Sequence, residues 1–308
     1  MNVVRSAKEL AATGRKACLA IGFFDGVHLG HQQIIRQAKG DAEQHDATAV
    51  VVTFDRHPAS IVAPDRAPGL IQTTKHRLRA IQALGPDAVL LLQFDNALRE
   101  QPGDQFIRRM NIEIGGIHSI CIGAEFHFGY KRSGNVELLH RLGAELGFQA
   151  HGIQAVSLGG ETISSTRIRE TIHLGQLEAA GEMLGHPYSI VSHVVRGDRM
   201  GHTLGFPTAN LDVTGLVLPP NGVYVAQAVF SGKRHHAVVN IGHRPTMAKD
   251  TSEKRVETHV MDFDGDLYDQ ELEVALVRRL REERRFGSRE ELQQQIQQDV
   301  FQARQLFH

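Results

Sequence analysis

Five short apolar runs, each followed by a helical stretch, fill the first 186 residues of this 308-residue chain. ACLAIGFF (17–24) is apolar without alternation, the mark of a strand buried on both faces. After it come a helix from His31, the run TAVVVTF (48–54), and the helix TTKHRLRAIQALG, which stops at Gly85. AVLLLQF (88–94), a helix through GDQFIRRM, HSICIG (118–123), the helix NVELLHRLGAELG and HGIQAVSL (151–158) continue the order. A last helix is expected from Ser165 through Leu184. Strand–helix alternation predicts a parallel sheet with helices on both faces, here over residues 1–186.

Beyond residue 186 the pattern changes. SIVSHVVRG, GVYVAQAVF, HHAVVNIG, RVETHVMDF and ELEVALVRRL are short runs with partial alternation, separated by turns such as Ser231-Gly232 and Asp264-Gly265. Ser288-Arg289-Glu290-Glu291 then opens a helix with a capping-box pattern. Residues 187–308 therefore read as a small antiparallel β-barrel with a C-terminal helix.

Composition narrows the function classes. Lys and Arg number 34 against 35 Asp and Glu, a net charge of -1, so no long-range field draws in nucleic acid or an anionic membrane. A nucleic-acid-binding barrel lacks the basic surface it would need. The two cysteines, Cys18 and Cys121, lie in apolar runs and read as buried thiols of a reducing compartment. MNVVRSAKEL has no apolar signal core, and no run approaches the ~18 apolar residues of a span. The expectation is a cytoplasmic protein with small-molecule partners, a monomer or weak homo-oligomer.

Ligands of open α/β sheets bind beyond the carboxyl ends of the strands. His28 and His31 fall at the first such end, where a helix N-terminus offers N–H groups and a positive dipole end to phosphate. Gly26 and Gly30 leave room for close backbone approach, and paired imidazoles there can stabilise charge developing on a phosphate oxygen. Taken alone, His-x-x-His is also simply a polar, capped helix start. Neither a Walker motif nor G-x-G-x-x-G is present, so a nucleotide would need another device. ISSTRIRE (163–170) is a second helix opening: Ser164, Ser165 and Thr166 are capping residues, with Arg167 and Arg169 beside them. It too reads alone as an ordinary capped helix.

In the C-terminal half, GDRMGHTLGFPTAN (197–210) spaces Gly197, Gly201 and Gly205 evenly, as in a loop that wraps amides around phosphates or merely turns. Thr208 and Asn210 share one side of an extended segment and suit Mg²⁺, which favours oxygen donors. PTAN is also a plain strand start after proline. Glu257 is either a base for a substrate hydroxyl or a solvated strand carboxylate.

Together GFFDGVHLGH (22–31) and ISSTRIR resemble the HxGH nucleotidyltransferase superfamily and its Rossmann-like fold. More narrowly, they resemble the N-terminal module of the bacterial bifunctional riboflavin kinase/FAD synthetases. The resemblance implies that His28 and His31 handle ATP phosphates and that Ser164, Ser165, Thr166 and Arg169 hold the triphosphate. TFDRHP (53–58) and GAEFHFGYKRSG (123–134) extend it and imply a flavin pocket at His57, Pro58 and Phe128. An aromatic ring there suits isoalloxazine, although Phe126 and Phe128 read by themselves as core.

The second half resembles the riboflavin kinase module through GHTLGFPTAN, PPNGVYVA (219–226), VNIGHRPT (239–246), VETHV (256–260) and LREERRFGSREEL (280–292). This implies Mg-nucleotide at Thr208 and Asn210, phosphates on the loop of Gly201 and Gly205, and Glu257 activating the ribityl hydroxyl. ATP is then the co-substrate, and riboflavin, FMN and FAD are substrates or products. Arg56, Glu125 and His202 depart from the family's usual proline, Asp or Asn, and Arg. Two rivals follow: a kinase alone, with a weakened adenylylation site, or a flavin-binding regulator.

Overall fold

The apolar runs of the first half assemble into a six-stranded, wholly parallel sheet in a computed structural model describing residues 2–197, 204–243 and 254–307. The chain divides into two compact units, residues 1–165 and 166–308. In the first run β1 (Asn2–Val4), α1 (Lys8–Ala11), β2 (Ala17–Ile21), α2 (Leu29–Gln44), β3 (Thr48–Phe54) and α3 (Ala59–Val62). Then follow α4 (Thr74–Ala83), β4 (Ala88–Leu92), α5 (Asn96–Glu100), α6 (Gly103–Ile114), β5 (Ile117–Gly123), α7 (Val136–Leu146) and β6 (Gln149–Ile153). A ribbon of β7 (Ser157–Leu158) and β8 (Glu161–Thr162) leads to α8 (Ser165–His173), which begins at the unit's last residue.

Strand order is β1-β4-β3-β2-β5-β6. Every residue of β2 and β3 is buried, as continuous apolar runs require when helices cover both faces. Polar side chains start the helices where the sequence supplies them: Thr73 accepts from His76 N at 3.3 Å and Asn135 from Leu138 N at 2.9 Å. From β2 the chain moves to β3 and β4, and from β5 it moves the opposite way to β6. The reversal lies between β2 and β5, so the ligand crevice of such a sheet falls at their carboxyl ends.

In the second unit α9 (Leu177–Leu184) precedes β9 (Ser189–Val195), β10 (Ala209–Leu211), β11 (Gly222–Phe230), β12 (Lys233–His243), β13 (Lys254–Val260), β14 (Glu271–Arg281) and α10 (Arg289–Gln305). The strands close an antiparallel barrel in the order β10-β13-β12-β11-β14-β9. Val223, Val225, Val238, Met261 and Ala303 seat α10 on it. Ser288 starts α10 by accepting from Glu291 N at 3.1 Å, while Glu291 returns to Gly287 N, one residue earlier than a capping box requires.

Three details differ from the sequence expectation. β1 pairs with β4 at the sheet edge, although only Val4 of its three residues is buried. The strand expected over HGIQAVSL ends at Ile153, and Ser157-Leu158 turns into the ribbon. The single helix expected over Ser165–Leu184 breaks into α8 and α9 at Gly175, whose φ of 75° suits glycine.

Candidate active sites

The loop leaving β2 is forced into an unusual path. Phe24 and Val27 sit at φ 59° and 41°, uncommon for such residues, and both side chains are buried. That path delivers His28 to the N-cap of α2, where its Nδ1 accepts from His31 N at 3.4 Å. Accepting at Nδ1 puts the neutral ring's proton on Nε2, the nitrogen able to donate to an anion. The two imidazoles stack at 3.5 Å between centroids, and Phe24 meets His31 edge-on at 5.2 Å. Gly26 takes φ 84°. A Cβ at Gly30 would lie 3.3 Å from the His28 ring, so the room expected there for a ligand is taken by the histidine.

Asp25, given no role of its own in the sequence motif, is the buried anchor of this loop. Its carboxylate accepts from Ile71 N at 3.0 Å and from Gln72 N at 3.2 Å, and its backbone carbonyl accepts from Ser165 Oγ at 2.9 Å. Thr53 Oγ1 donates to Phe23 O at 2.9 Å, and Gln32 Nε2 to Val27 O at 3.0 Å. Ser165, the first residue of α8, is thus tied to the histidine loop. Ser164 and Ser165 are half-buried; Thr166 is exposed and Arg169 half-buried further along that helix.

Beyond β3, His57 Nδ1 accepts from Ala59 N at 3.0 Å, and the ring meets Phe23 edge-on at 4.7 Å. Pro58 starts α3, half-buried. Phe128, expected to face the flavin, instead lies 9% exposed in the core beside Phe106 and Phe126, each 6.2 Å away between centroids. Its loop closes through reciprocal hydrogen bonds with Gly134, and half-buried Phe126 presents the more open ring. Arg56 and Glu125 are both exposed.

In the barrel, Asn210 of β10 lies directly opposite Glu257 of β13, and Glu257 lies opposite Asn240 of β12. Opposed residues on neighbouring strands present side chains to the same face. Asn210 is buried, and a Cβ on Gly197 would lie 2.2 Å from its amide nitrogen, so the first glycine of the loop packs on Asn210. Thr208 is half-buried just before β10 and Gly205 exposed at φ 82°. Gly201 and His202 lie outside the described residues. Glu257 approaches Arg255 at 3.9 Å.

A cavity of about 520 Å³ opens beside Asn210, lined among others by Arg196, Asp212, Thr214, Lys254 and Arg255. Among the described residues that line it, three cations face one carboxylate, a balance that favours anions. Hydrogen bonds from Thr214 hold Asp212 below the usual carboxylate range, and burial lowers Lys254. Among the described residues no group of three or more His, Cys, Asp or Glu stands ready to hold a metal. A hydroxyl and an amide oxygen nevertheless fit magnesium, which reaches protein through few ligands and keeps phosphate and water.

A family model described as FAD synthetase matches residues 10–167, and one described as riboflavin kinase matches residues 184–307. Bifunctional riboflavin kinase/FMN adenylyltransferase of Escherichia coli K12 is 34% identical over all of this chain and 98% of its own length. That of Pseudomonas fluorescens is 35% identical over 99% and 98%, and that of Haemophilus influenzae 32% over the whole of both. A Streptococcus pneumoniae crystal structure described as a macrolide-efflux protein matches with a TM-score of 0.83 at 28% identity, covering 98% of each chain. No helix among the described residues is long and apolar enough to cross a membrane. Two catalytic modules in one order and full-length similarity decide the matter: the chain belongs to the bifunctional riboflavin kinase/FMN adenylyltransferases, whose substrates and products are riboflavin, FMN, FAD and ATP.

Proposed function

We propose that the two reactions use separate residue sets, in functional modules spanning residues 1–186 and 187–308. In the barrel the riboflavin 5′-hydroxyl attacks the γ-phosphorus of ATP, giving FMN and ADP. Glu257 takes the hydroxyl proton, and the loop of Gly201 and Gly205 cradles phosphate. Thr208 and Asn210 would hold Mg²⁺, which when bound supplies neutralisation of phosphate charge. Arg196, Lys254 and Arg255 add fixed positive charge around the neighbouring cavity.

In the first module an oxygen of the FMN phosphate attacks the α-phosphorus of a second ATP, and pyrophosphate leaves as FAD forms. His28 and His31 stabilise charge on the transferring phosphate, and Ser164, Ser165, Thr166 and Arg169 hold the triphosphate. His57 and Pro58 border the flavin, with Phe128 holding that wall from the core. The hydrogen bond from Ser165 to the Asp25 carbonyl carries this reading, because it joins the phosphate-binding helix head to the histidine loop.

The same reading places the protein in the cytoplasm as a monomer or weak homo-oligomer, serving small molecules rather than nucleic acid or membrane. Purified protein given FMN, ATP and Mg²⁺ tests it by release of FAD and pyrophosphate. Riboflavin converted to FMN without any FAD would reduce the chain to a kinase.

A further inference from the structure

Arg77 of α4 has no exposed surface and heads the largest fully buried side chains among the described residues. A guanidinium is costly to bury, so its surroundings must hold it for a reason. Its Cζ lies 4.2 Å from the centroid of the Phe23 ring, and Nη2 donates to the carbonyl of Phe54, the last residue of β3. Nε and Nη1 make no hydrogen bond among the described residues. Asp25 and Asp55 supply opposing charge; burial lowers Arg77 to about 10, still a cation at neutral pH. Asp25 belongs to the histidine loop, and Asp55 begins the loop carrying His57, where its carboxylate accepts from Phe94 N at 2.9 Å.

Arg77 therefore touches Phe23 in the loop after β2 and the last residue of β3, from which the loop carrying His57 departs. Phe23 has Arg77 against its ring face and the His57 ring edge-on at 4.7 Å. The column Arg77–Phe23–His57 runs from the interior of the unit to a half-buried imidazole. Its middle residue precedes left-handed Phe24, so the backbone there depends on outside restraint.

We propose that Arg77 is a positioning residue for the flavin side of the adenylylation site, setting His57 through Phe23. Arg77 touches neither flavin nor phosphate. It fixes the ring on which the flavin-side histidine rests, while the Phe54 carbonyl keeps the start of that loop in place. The inference rests on the reading that residues 55–58 border FMN.

The test uses the full chain with Arg77→Met, Arg77→Lys and Phe23→Leu. FMN adenylylation is measured while FMN and ATP are varied separately, and riboflavin kinase activity of each preparation serves as the folding standard. Arg77→Met should raise KM for FMN about fivefold or more and leave KM for ATP within about twofold. Arg77→Lys, keeping the charge, should recover most of that affinity. Phe23→Leu, keeping the buried cation but losing the ring, should reproduce the rise. Unchanged KM for FMN in Arg77→Met, or equal rises for both substrates, overturns the proposal. If Arg77→Met does not fold, Phe23→Leu decides, and a parental KM for FMN there is equally fatal. A parent chain that makes no FAD refutes the adenylylation reading itself, whereas parental FAD synthesis with indifferent variants refutes only the role of Arg77.

Discussion

The Ser165 hydroxyl donates a hydrogen bond to the backbone carbonyl of Asp25 at 2.9 Å, joining positions 140 residues apart in sequence. One partner opens a helix; the other belongs to the loop that ends in His28. The bond is half-buried and holds a loop with three positive-φ residues, Phe24, Gly26 and Val27, so its loss is felt at the phosphate site. Ser165→Ala should cost about 1 kcal/mol, read as a five- to tenfold fall in kcat/KM for ATP in adenylylation. Riboflavin phosphorylation by the same preparation should be unchanged.

His28 is both helix cap and phosphate-site ring, and the two roles separate by substitution. Asparagine is a good N-cap, so His28→Asn should keep stability within about 0.5 kcal/mol, while His28→Ala should lose about 1 kcal/mol. Both should lower FMN adenylylation about 10²–10³-fold. Denaturant unfolding read beside activity distinguishes the effects.

Arg281 grips Asp299 through Nε at 2.9 Å and Nη2 at 2.7 Å, and the Asp299 side chain is 3% exposed. This pair ties β14 to α10. Arg281→Ala leaves a buried carboxylate without its cation and should destabilise the barrel by about 3–5 kcal/mol, measured by urea unfolding. Replacing both partners by apolar residues should cost much less.

His118 stacks on His45 at 4.0 Å, and burial, followed by the neighbouring His45 and Lys16, lowers its pKa. The unfolded imidazole then binds a proton more readily than the folded one. Stability must fall as pH drops through the unfolded value of about 6.5 and recover above it. Chemical unfolding at pH 7.5 and 6.0 should show this loss, and His118→Asn should make it smaller. A variant losing as much as the parent would contradict the assignment.

The fold was legible wherever burial leaves a one-dimensional signature. The strands within TAVVVTF and ACLAIGFF are mostly apolar and wholly buried because helices cover both faces of the sheet. Asn2–Val4 carries no such mark, since a three-residue edge strand buries one side chain. Local chemistry also marked two helix starts, at His28 and at Ser165. The roles of Asp25 and Arg77 escaped notice because their partners are far away: Asp25 meets backbone 46 residues on, and Arg77 meets a carbonyl 23 residues back. Phe128 carried two readings, core by its own pattern and flavin wall by resemblance, and its side chain lies in the core. An aromatic residue looks the same in sequence whether it faces a ligand or Phe106.

The central claim is that the histidine loop and the Asn210–Glu257 rung serve different reactions. Product analysis of His28→Ala and Glu257→Ala in the full chain, supplied with ATP, Mg²⁺ and either riboflavin or FMN, tests it most directly. His28→Ala should accumulate FMN without FAD. Glu257→Ala should make little FMN from riboflavin, with phosphorylation down about 10²–10⁴-fold, yet convert supplied FMN to FAD at the parental rate. Loss of both reactions in either soluble, folded variant would contradict the account.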